Sequence, residues 1–320
     1  MTDLRYFSLG RHAMKVALEL AGVKTGDLVM LPGFICRDLL SSINSLGALP
    51  VFYEVDINLN PVMLDSSRHP RVIIAVNYFG FAQNLEPFEK FSAETGAIII
   101  EDNAHGFLSR DSKNSKLGQR TRLGITSFRK TLNVVDGATL SISQVSNEIP
   151  KQIDYLNSSS GLRTNLLQLL LRLERKTGVQ MVGIAQSLSR LIRFVRTGSS
   201  LPTSDEEIEI MIPGIANPHA ISVNKMLEID EDLEVERRRS LYKQLLPEIL
   251  KLNLKPIFEN LPAGTSPYGL PLYAPPHLKQ NLSKLARRYC VTLMTWPDLP
   301  QEILPTAREH YKQVWLLNFR

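Results

Sequence analysis

The fold of this chain is decided by one stretch, Ala97-Ile98-Ile99-Ile100-Glu101-Asp102-Asn103-Ala104-His105-Gly106. Its apolar start contains three isoleucines, which is typical of a buried β-strand. The apolar run stops where the acidic pair begins. Ligands of an α/β sheet bind beyond the carboxyl ends of the strands. The stretch therefore predicts a carboxylate at the ligand-binding edge of a sheet.

A second stretch, GITSFRK at residues 124–130, brings an amine to the end of another segment. Asp102 and Lys130 would then face the same crevice. Pyridoxal phosphate (PLP) needs such a pair, because a lysine holds its aldehyde carbon and a carboxylate keeps its ring nitrogen protonated. The alternative, on spacing alone, is that Lys130 is a solvated loop residue and Asp102 a helix cap or turn residue.

Three motifs resemble those of the DegT-type nucleotide-sugar aminotransferases, which depend on PLP: EDNAHG at 101–106, SFRK at 127–130 and DG at 136–137. The resemblance implies the α/β fold of aspartate aminotransferase, known as fold type I. It also implies that Asp102 pairs with the pyridinium nitrogen and that Lys130 is the Schiff-base lysine. His105 lies where the family usually has a glutamine near the ring hydroxyl.

The segment GRHAM at 10–14 lies where the family begins the helix that receives the PLP phosphate. A helix N-terminus suits an anion, because it offers free N–H groups and the positive end of a dipole. Arg11 either adds a charge there or is solvated. The predicted catalytic residue is Lys130. The predicted cofactor-binding residues are Asp102, His105, Gly10, Arg11, His12, Phe34, Ser127 and Lys130.

The sequence departs from the family pattern at four places. Leu9 lies where the family has a serine, and Ala138 lies where it has a second glycine. Cys36 lies where the family has an aromatic residue that stacks on the cofactor ring, a part that Phe34 would take instead. The loop that carries the lysine is two residues shorter than in the family. The chain also ends earlier than the family pattern. These departures leave open a protein of this fold that catalyses a dehydration, or one that has lost PLP and acts as a scaffold. A histidine at position 130 would favour the dehydratase, and the lysine argues against it.

Strand and helix patterns alternate over residues 10–140, which predicts a mostly parallel sheet with right-handed crossovers. Strands are expected at 28–31, 49–53 and 71–76, and helices at 10–22, 36–46 and 85–95. Residues 221–250 are expected to form one long helix or two. We expect a large PLP-binding domain, 1–215, with a helical insertion at about 155–200, and a small C-terminal α/β domain, 216–320. The small domain would include strands at 270–273 and 291–297 and a helix at 277–289.

Composition excludes several other classes of protein. The chain has 320 residues, of which 43% are hydrophobic, enough to bury a sizeable core. Its two cysteines are far apart, and its six histidines do not form a helical metal pair, so we expect neither a disulfide nor a metal site. No apolar run is long enough to span a bilayer and no signal peptide is evident, so we expect a cytoplasmic protein.

Positive charge is concentrated in one segment. Residues 161–200 contain seven basic side chains and one acidic one, a charge of +6, whereas the rest of the chain carries −1, so that the net charge is +5. We therefore do not expect a nucleic-acid-binding protein. The leucine-rich helices predicted at 162–173 and 181–195 would either pack on the core or a dimer interface, or place residues 161–196 on an anionic membrane. In the second case the working part of the protein would be this segment, in polysaccharide assembly.

Together these observations predict an enzyme that aminates small molecules. The resemblance implies an aminotransferase that moves an amino group from glutamate to a nucleotide-linked keto sugar. It implies that the product serves polysaccharide or cell-surface glycan biosynthesis. It also implies a homodimer with shared sites.

Overall fold

The computed structural model describes residues 2–143, 152, 154–156 and 207–319. A large sheet occupies the N-terminal part. Its strands are β1 (Thr2–Phe7), β2 (Leu28–Pro32), β3 (Leu49–Tyr53), β4 (Val72–Val76), β5 (Ile98–Asn103), β6 (Leu123–Thr126) and β7 (Ala138–Ser143). Their order in the sheet is β1-β7-β6-β5-β4-β2-β3, and only β7 runs against its neighbours. This confirms the predicted α/β class and mostly parallel sheet. Strand β1 was not predicted.

The described helices are α1 (Gly10–Leu20), α2 (Leu40–Asn44), α3 (Glu86–Thr95), α4 (Phe128–Thr131), α5 (Ala220–Leu227), α6 (Glu231–Lys251) and α7 (Lys279–Arg288). Helix α1 forms because its apolar residues recur at helical spacing, and it buries Ala13, Met14, Ala17 and Leu18. The pattern over 221–250 resolves into two helices. The second begins where the Asp230 carboxylate accepts a hydrogen bond from the Leu233 N–H, 3.0 Å away.

A second, antiparallel sheet forms the C-terminal part. Its strands are β8 (Lys255–Pro256), β9 (Gly269–Tyr273), β10 (Thr292–Thr295) and β11 (Val314–Asn318), in the order β10-β11-β9-β8. The predicted strands at 270–273 and 291–297 correspond to β9 and β10. The division of the chain at residues 215 and 216 stays a prediction. The helices predicted at 162–173 and 181–195, and hence the segment 161–196, lie outside the described residues.

The large sheet brings several loops to one edge. Strands β2, β4, β5 and β6 are parallel, so their carboxyl ends share that edge. From β2 the chain continues outward to β3, at the edge of the sheet, and then returns to β4 on the inner side of β2. The order in which the strands are added therefore reverses beside β2, and such a reversal leaves a crevice at the carboxyl ends of the strands. Crevices of this kind hold ligands in α/β folds. The topology therefore places Asp102 and the segment after β6 beside the same crevice.

Gly137 allows close packing beside the lysine-bearing helix. Its φ is +134°, and a Cβ on it would overlap the ring of Phe128 at the start of α4. We expect Gly137→Ala to lower the free energy of unfolding by about 2–4 kcal/mol, since both backbone strain and overpacking oppose it. Urea unfolding measures this change.

Gly96→Ala is the matched control, because Gly96 has a φ of +76° and open space around its Cα. It carries backbone strain without a collision, and we expect a loss of about 1 kcal/mol. Equal losses in the two variants would show that the Phe128 contact is unimportant.

Candidate active site

A cavity lies at the carboxyl ends of the parallel strands, against the start of α1. Six of the predicted site residues line it: Gly10, Arg11, Asp102, His105, Ser127 and Lys130. Residues that the sequence analysis did not assign to the site also line it, including Cys36, Asp38, Asn77, Ala104, Arg129 and Trp296. The tertiary structure thus brings the predicted carboxylate and the predicted amine to one cavity.

The Lys130 amine points into this cavity from α4. Its Nζ atom lies 3.3 Å from Nε2 of His105. Its charge also acts on Asp102, where it counteracts the effect of burial on the carboxyl pKa. Helix α4 is one turn long and is held by hydrogen bonds from Lys130 N–H to the Ser127 carbonyl and from Arg129 N–H to the Gly137 carbonyl. The short loop between Phe128 and Lys130 therefore still delivers the amine to the cavity.

His105 is clamped between aromatic rings. Its imidazole is parallel to the Tyr268 ring, with centroids 4.5 Å apart, and Trp296 meets it edge-on at 5.3 Å. Burial and the Lys130 charge hold the pKa of His105 well below its usual range, so the ring is neutral. The Phe79 N–H lies 3.4 Å from Nδ1, and Nε2 faces the Lys130 amine.

Asp102 provides a buried carboxylate at the base of the cavity. Its side chain is fully enclosed, and burial raises its pKa, although the Lys130 charge and the Ala104 N–H oppose that rise. The Ala104 N–H donates to Oδ1 at 2.8 Å. This arrangement leaves the second carboxylate oxygen available to a cationic or N–H group of a ligand.

Two predicted contacts lie away from the cavity. Phe34 is fully buried and packs edge-on against Trp296, with ring centroids 4.9 Å apart. His12 points toward the Pro213 carbonyl, and neither residue lines the cavity. Cys36 lines it instead, and burial raises the pKa of its thiol to about 12, so the thiol is neutral.

Trp296 is a site residue that the sequence analysis missed. It follows β10 and touches both His105 and Phe79. Trp296 lies near the end of the strand predicted at 291–297, but nothing in its spacing connects it with residues near position 100. Only the packing of the second sheet against the first places Trp296 at the cavity.

A buried polar network holds Asn77, another residue of the cavity wall. Glu101 accepts hydrogen bonds from Asn77 Nδ2 and Arg120 Nε, each at 2.8 Å, and Arg120 donates to Asn77 Oδ1 at 2.9 Å. Glu101 is completely buried. Because each of these groups is satisfied by the others, the network fixes Asn77 after β4.

Arg238 joins α6 to both sides of the site. Its guanidinium donates to the Thr131 carbonyl at 2.8 Å, next to Lys130, and to the Pro267 carbonyl at 3.2 Å, next to Tyr268. Its Nε donates to Glu234 at 2.8 Å. Burial lowers the pKa of Arg238 to about 10, an effect that the Glu234 carboxylate opposes. A single buried cation thus connects the lysine turn with the ring that packs on His105.

A larger cleft of about 1310 Å³ lies elsewhere, between the 81–86 and 110–115 loops and residues 255–260. Its lining is mostly polar and includes Arg120. Lys130 and Asp102 are not among its lining residues, so we place the chemistry in the smaller cavity. In the part of the chain that is described, no group of three metal-ligating side chains occurs. None of the helices found there has the length and apolarity needed to cross a bilayer.

Comparison with known proteins shows which family this chain resembles. The family model of the DegT/DnrJ/EryC1/StrS aminotransferases matches residues 7–163. The match covers just under half of the chain, and over those residues the chain is similar to this family. The aminotransferases of this family depend on pyridoxal phosphate.

Two curated relatives and one solved structure illustrate the similarity. The 3-amino-5-hydroxybenzoate synthase of Amycolatopsis mediterranei is 30% identical over 125 residues, which cover 38% of this chain and 32% of that protein. The UDP-2-acetamido-2-deoxy-3-oxo-D-glucuronate aminotransferase of Pseudomonas aeruginosa is 31% identical over 103 residues, covering 31% and 29%. A DegT-family aminotransferase structure from Brucella abortus superimposes with a TM-score of 0.62 at 19% identity, covering 98% of this chain and 80% of that one. The sequence matches thus span about a third of the curated relatives, and the structural match shows the shared fold.

The residues of this cavity fit the DegT-family cofactor. Lys130 would hold its aldehyde carbon, Asp102 would hold its ring nitrogen, and Nε2 of His105 would face its ring hydroxyl. The start of α1 supplies N–H groups for a phosphate. The fit rests on a buried carboxylate and an amine that share one cavity, which a structural core has no reason to contain.

Breaking the Arg238 contacts tests how strongly the site depends on α6. We expect Arg238→Met to lower the free energy of unfolding by about 3–5 kcal/mol, because the carbonyl groups that it binds would lose a buried charged donor. Thermal or urea unfolding measures the loss. Arg237→Met is the control, since Arg237 also binds Glu234 but is exposed, and we expect a change of at most about 1 kcal/mol. Similar small changes in both variants would contradict the proposed connection.

Replacing Asp102 tests its burial. A carboxyl group with a raised pKa ionises less readily in the folded state, so its contribution to stability falls as pH rises from about 3.9 through the folded-state pKa. We expect Asp102→Asn, measured without cofactor, to gain stability relative to the native protein over that rise in pH. Urea unfolding from about pH 4 to pH 7 measures the difference.

Asp232→Asn, at an exposed position of α6, is the control and should show no such trend. If the native protein instead became more stable relative to Asp102→Asn as the pH rises, the Lys130 charge, and not burial, would dominate the pKa of Asp102.

Proposed function

We propose that this chain is a PLP-dependent aminotransferase that acts on nucleotide-linked keto sugars. The single observation that carries the proposal is the meeting of Lys130 and Asp102 in one cavity at the edge of a parallel sheet. The DegT-family match over residues 7–163 supports the reaction class. A relative described as an aminotransferase of a UDP-linked oxo sugar supports the substrate class.

When bound, pyridoxal phosphate supplies an electron sink for the substrate carbon that exchanges a proton. Lys130 is placed to move that proton, because its Nζ atom lies inside the cavity. Asp102 would keep the ring nitrogen protonated by accepting a hydrogen bond from its N–H. Enclosure by Tyr268 and Trp296 keeps water from His105, so its Nε2 stays available to the ligand.

Substitution of Lys130 tests the function. We expect native protein mixed with PLP and reduced with borohydride to carry a pyridoxyl group on Lys130, found by peptide mapping. Glutamate should remove the visible absorbance band, and a UDP- or GDP-linked keto sugar should restore it with release of an amino sugar. Lys130→Ala should show neither labelling nor turnover, a loss of at least about a thousandfold, because no other described lysine lines the cavity.

Lys116→Ala is the matched control, since Lys116 forms an exposed ion pair with Glu231 and should keep full activity. Circular dichroism checks that Lys130→Ala folds. Normal turnover by Lys130→Ala would contradict the proposal. A native protein without band or label would favour a scaffold, and a sugar that loses water without gaining nitrogen would favour a dehydratase.

The finer parts of this proposal rest on the family resemblance. They are glutamate as the donor, a product destined for polysaccharide or cell-surface glycan, and a homodimer in the cytoplasm. Peripheral membrane contact through residues 161–196 is a further proposal. Vesicle flotation with the intact chain and with that segment deleted distinguishes membrane contact from packing within the protein.

A further inference from the structure

The larger cleft lies apart from the candidate active site and has a different character. Its walls are the loops that follow β3, β4 and β5 on one side, and β8 with the segment that follows it on the other. Its volume of about 1310 Å³ exceeds the range of about 300–1,000 Å³ that is usual for a small-molecule site. The cleft therefore has room for an extended ligand.

Hydrogen bonds beside the cleft join its two walls. The Arg110 N–H donates to the Gly264 carbonyl at 2.8 Å. The Ser266 N–H donates to Ser109 Oγ at 2.9 Å, and the Ser109 hydroxyl donates to the Ser266 carbonyl at 3.0 Å. Both serines are buried. Because these bonds tie the walls together, the cleft is largely formed before a ligand arrives, which lowers the entropic cost of binding.

The charged side chains of the lining balance one another. Four are basic and four are acidic, so the cleft has no net charge. Arg120 is held from behind, since its Nε donates to Glu101 at 2.8 Å and its Nη1 donates to the Gln83 carbonyl at 3.1 Å. Arg110 Nη1 donates to the Asn114 carbonyl at 2.9 Å. The overall charge of the cleft therefore favours neither an anion nor a cation.

Carboxamide side chains are prominent in the lining, which contains Asn58, Asn60, Gln83, Asn84, Gln119 and Asn260. Two of them serve the fold, because Gln83 Nε2 donates to the Leu59 carbonyl at 3.0 Å and Asn84 Oδ1 accepts from the Glu86 N–H at 3.1 Å. The other four carboxamides make no hydrogen bond to any residue that the structure describes. A carboxamide both donates and accepts hydrogen bonds, which suits a ligand rich in hydroxyl groups.

An aromatic pair adds an apolar surface to the same cleft. Phe258 stacks on Phe81, with ring centroids 4.0 Å apart and an angle of 10° between the rings. Phe81 is buried and Phe258 is half-buried, and both line the cleft. The Tyr242 hydroxyl donates to the Phe258 carbonyl, which fixes this segment. An aromatic ring beside free carboxamides matches a pyranose, which has an apolar C–H face and hydroxyl groups around its edge.

We propose that this cleft binds an uncharged oligosaccharide, at a site separate from the candidate active site. The four free carboxamides would bond its hydroxyl groups, and Phe258 would face a sugar ring. The absence of net charge distinguishes this ligand from a nucleotide-linked sugar, whose diphosphate is anionic. The inference therefore goes beyond the proposed function and does not depend on the chemistry at Lys130.

Isothermal titration calorimetry with defined tetramers tests the assignment. Cellotetraose, maltotetraose and N-acetylchitotetraose are the uncharged sugars, tetragalacturonate is the charged sugar, and a glycine–serine tetrapeptide with blocked ends represents a peptide. We expect at least one uncharged sugar to bind with a Kd of about 1 mM or tighter. Replacing Asn60 and Asn260 together by alanine should weaken that binding about tenfold, because two hydrogen bonds to hydroxyl groups are lost.

Asn281→Ala is the matched control, since Asn281 is an exposed asparagine of α7 outside the cleft, and it should bind as the native protein does. Phe258→Leu should weaken binding about three- to tenfold and Phe258→Tyr should keep it, because only tyrosine keeps the ring. Lys130→Ala should bind the sugar with unchanged affinity. Unfolding curves check that each variant folds.

The outcomes decide the proposal one way or the other. It is overturned if none of the three uncharged sugars binds, or if the double asparagine variant binds them as well as the native protein does. Tighter binding of tetragalacturonate or of the peptide also overturns it, and so does loss of sugar binding in Lys130→Ala, which would move the sugar to the candidate active site. The proposed function is judged separately, by the labelling of Lys130 and by turnover.

Discussion

The register of β5 between its two parallel neighbours is the constraint on which the site depends. Asp102 is paired with Val76 of β4 and with Ile125 of β6. Successive side chains of a strand point to opposite faces, so a slip of one residue would exchange Glu101 and Asp102. Glu101 would then lose Arg120, and the cavity would lose its carboxylate. The isoleucine pairs that precede these residues hold the register by burial on both faces of the sheet.

Two adjacent acidic residues consequently perform different tasks. Glu101 is satisfied entirely within the protein by Asn77 and Arg120, which makes it part of the scaffold. Asp102 receives one backbone N–H, and its raised pKa reflects a carboxylate that the protein itself does not neutralise. The first residue stabilises the loop that carries Asn77, and the second is left for a ligand. Because successive side chains of β5 point to opposite faces of the sheet, Glu101 can stabilise the fold while Asp102 lines the cavity.

Residues from the C-terminal part of the chain close the site. Tyr268 and Trp296 reach His105 from the loops around the second sheet, and Arg238 links Tyr268 with the turn that carries Lys130. These contacts make the pKa of His105 and the position of the lysine depend on the packing of α6. The hydrogen bond from Arg238 to the Thr131 carbonyl also holds the one-turn helix that presents the amine. Arg11 and Arg129 also line the cavity.

The sequence by itself determined the parallel sheet, its carboxyl-edge carboxylate and the lysine, because hydrophobic periodicity and ordered motifs are local properties. It also located the start of α1, where His12 was assigned to the site along with Gly10 and Arg11. Only the tertiary structure decided that His12 and Phe34 lie away from the cavity and that Cys36, Arg129 and Trp296 line it. Strand β1 was missed because its partner, β7, is more than a hundred residues distant. Side-chain direction and long-range packing depend on contacts between distant segments, which no local pattern encodes.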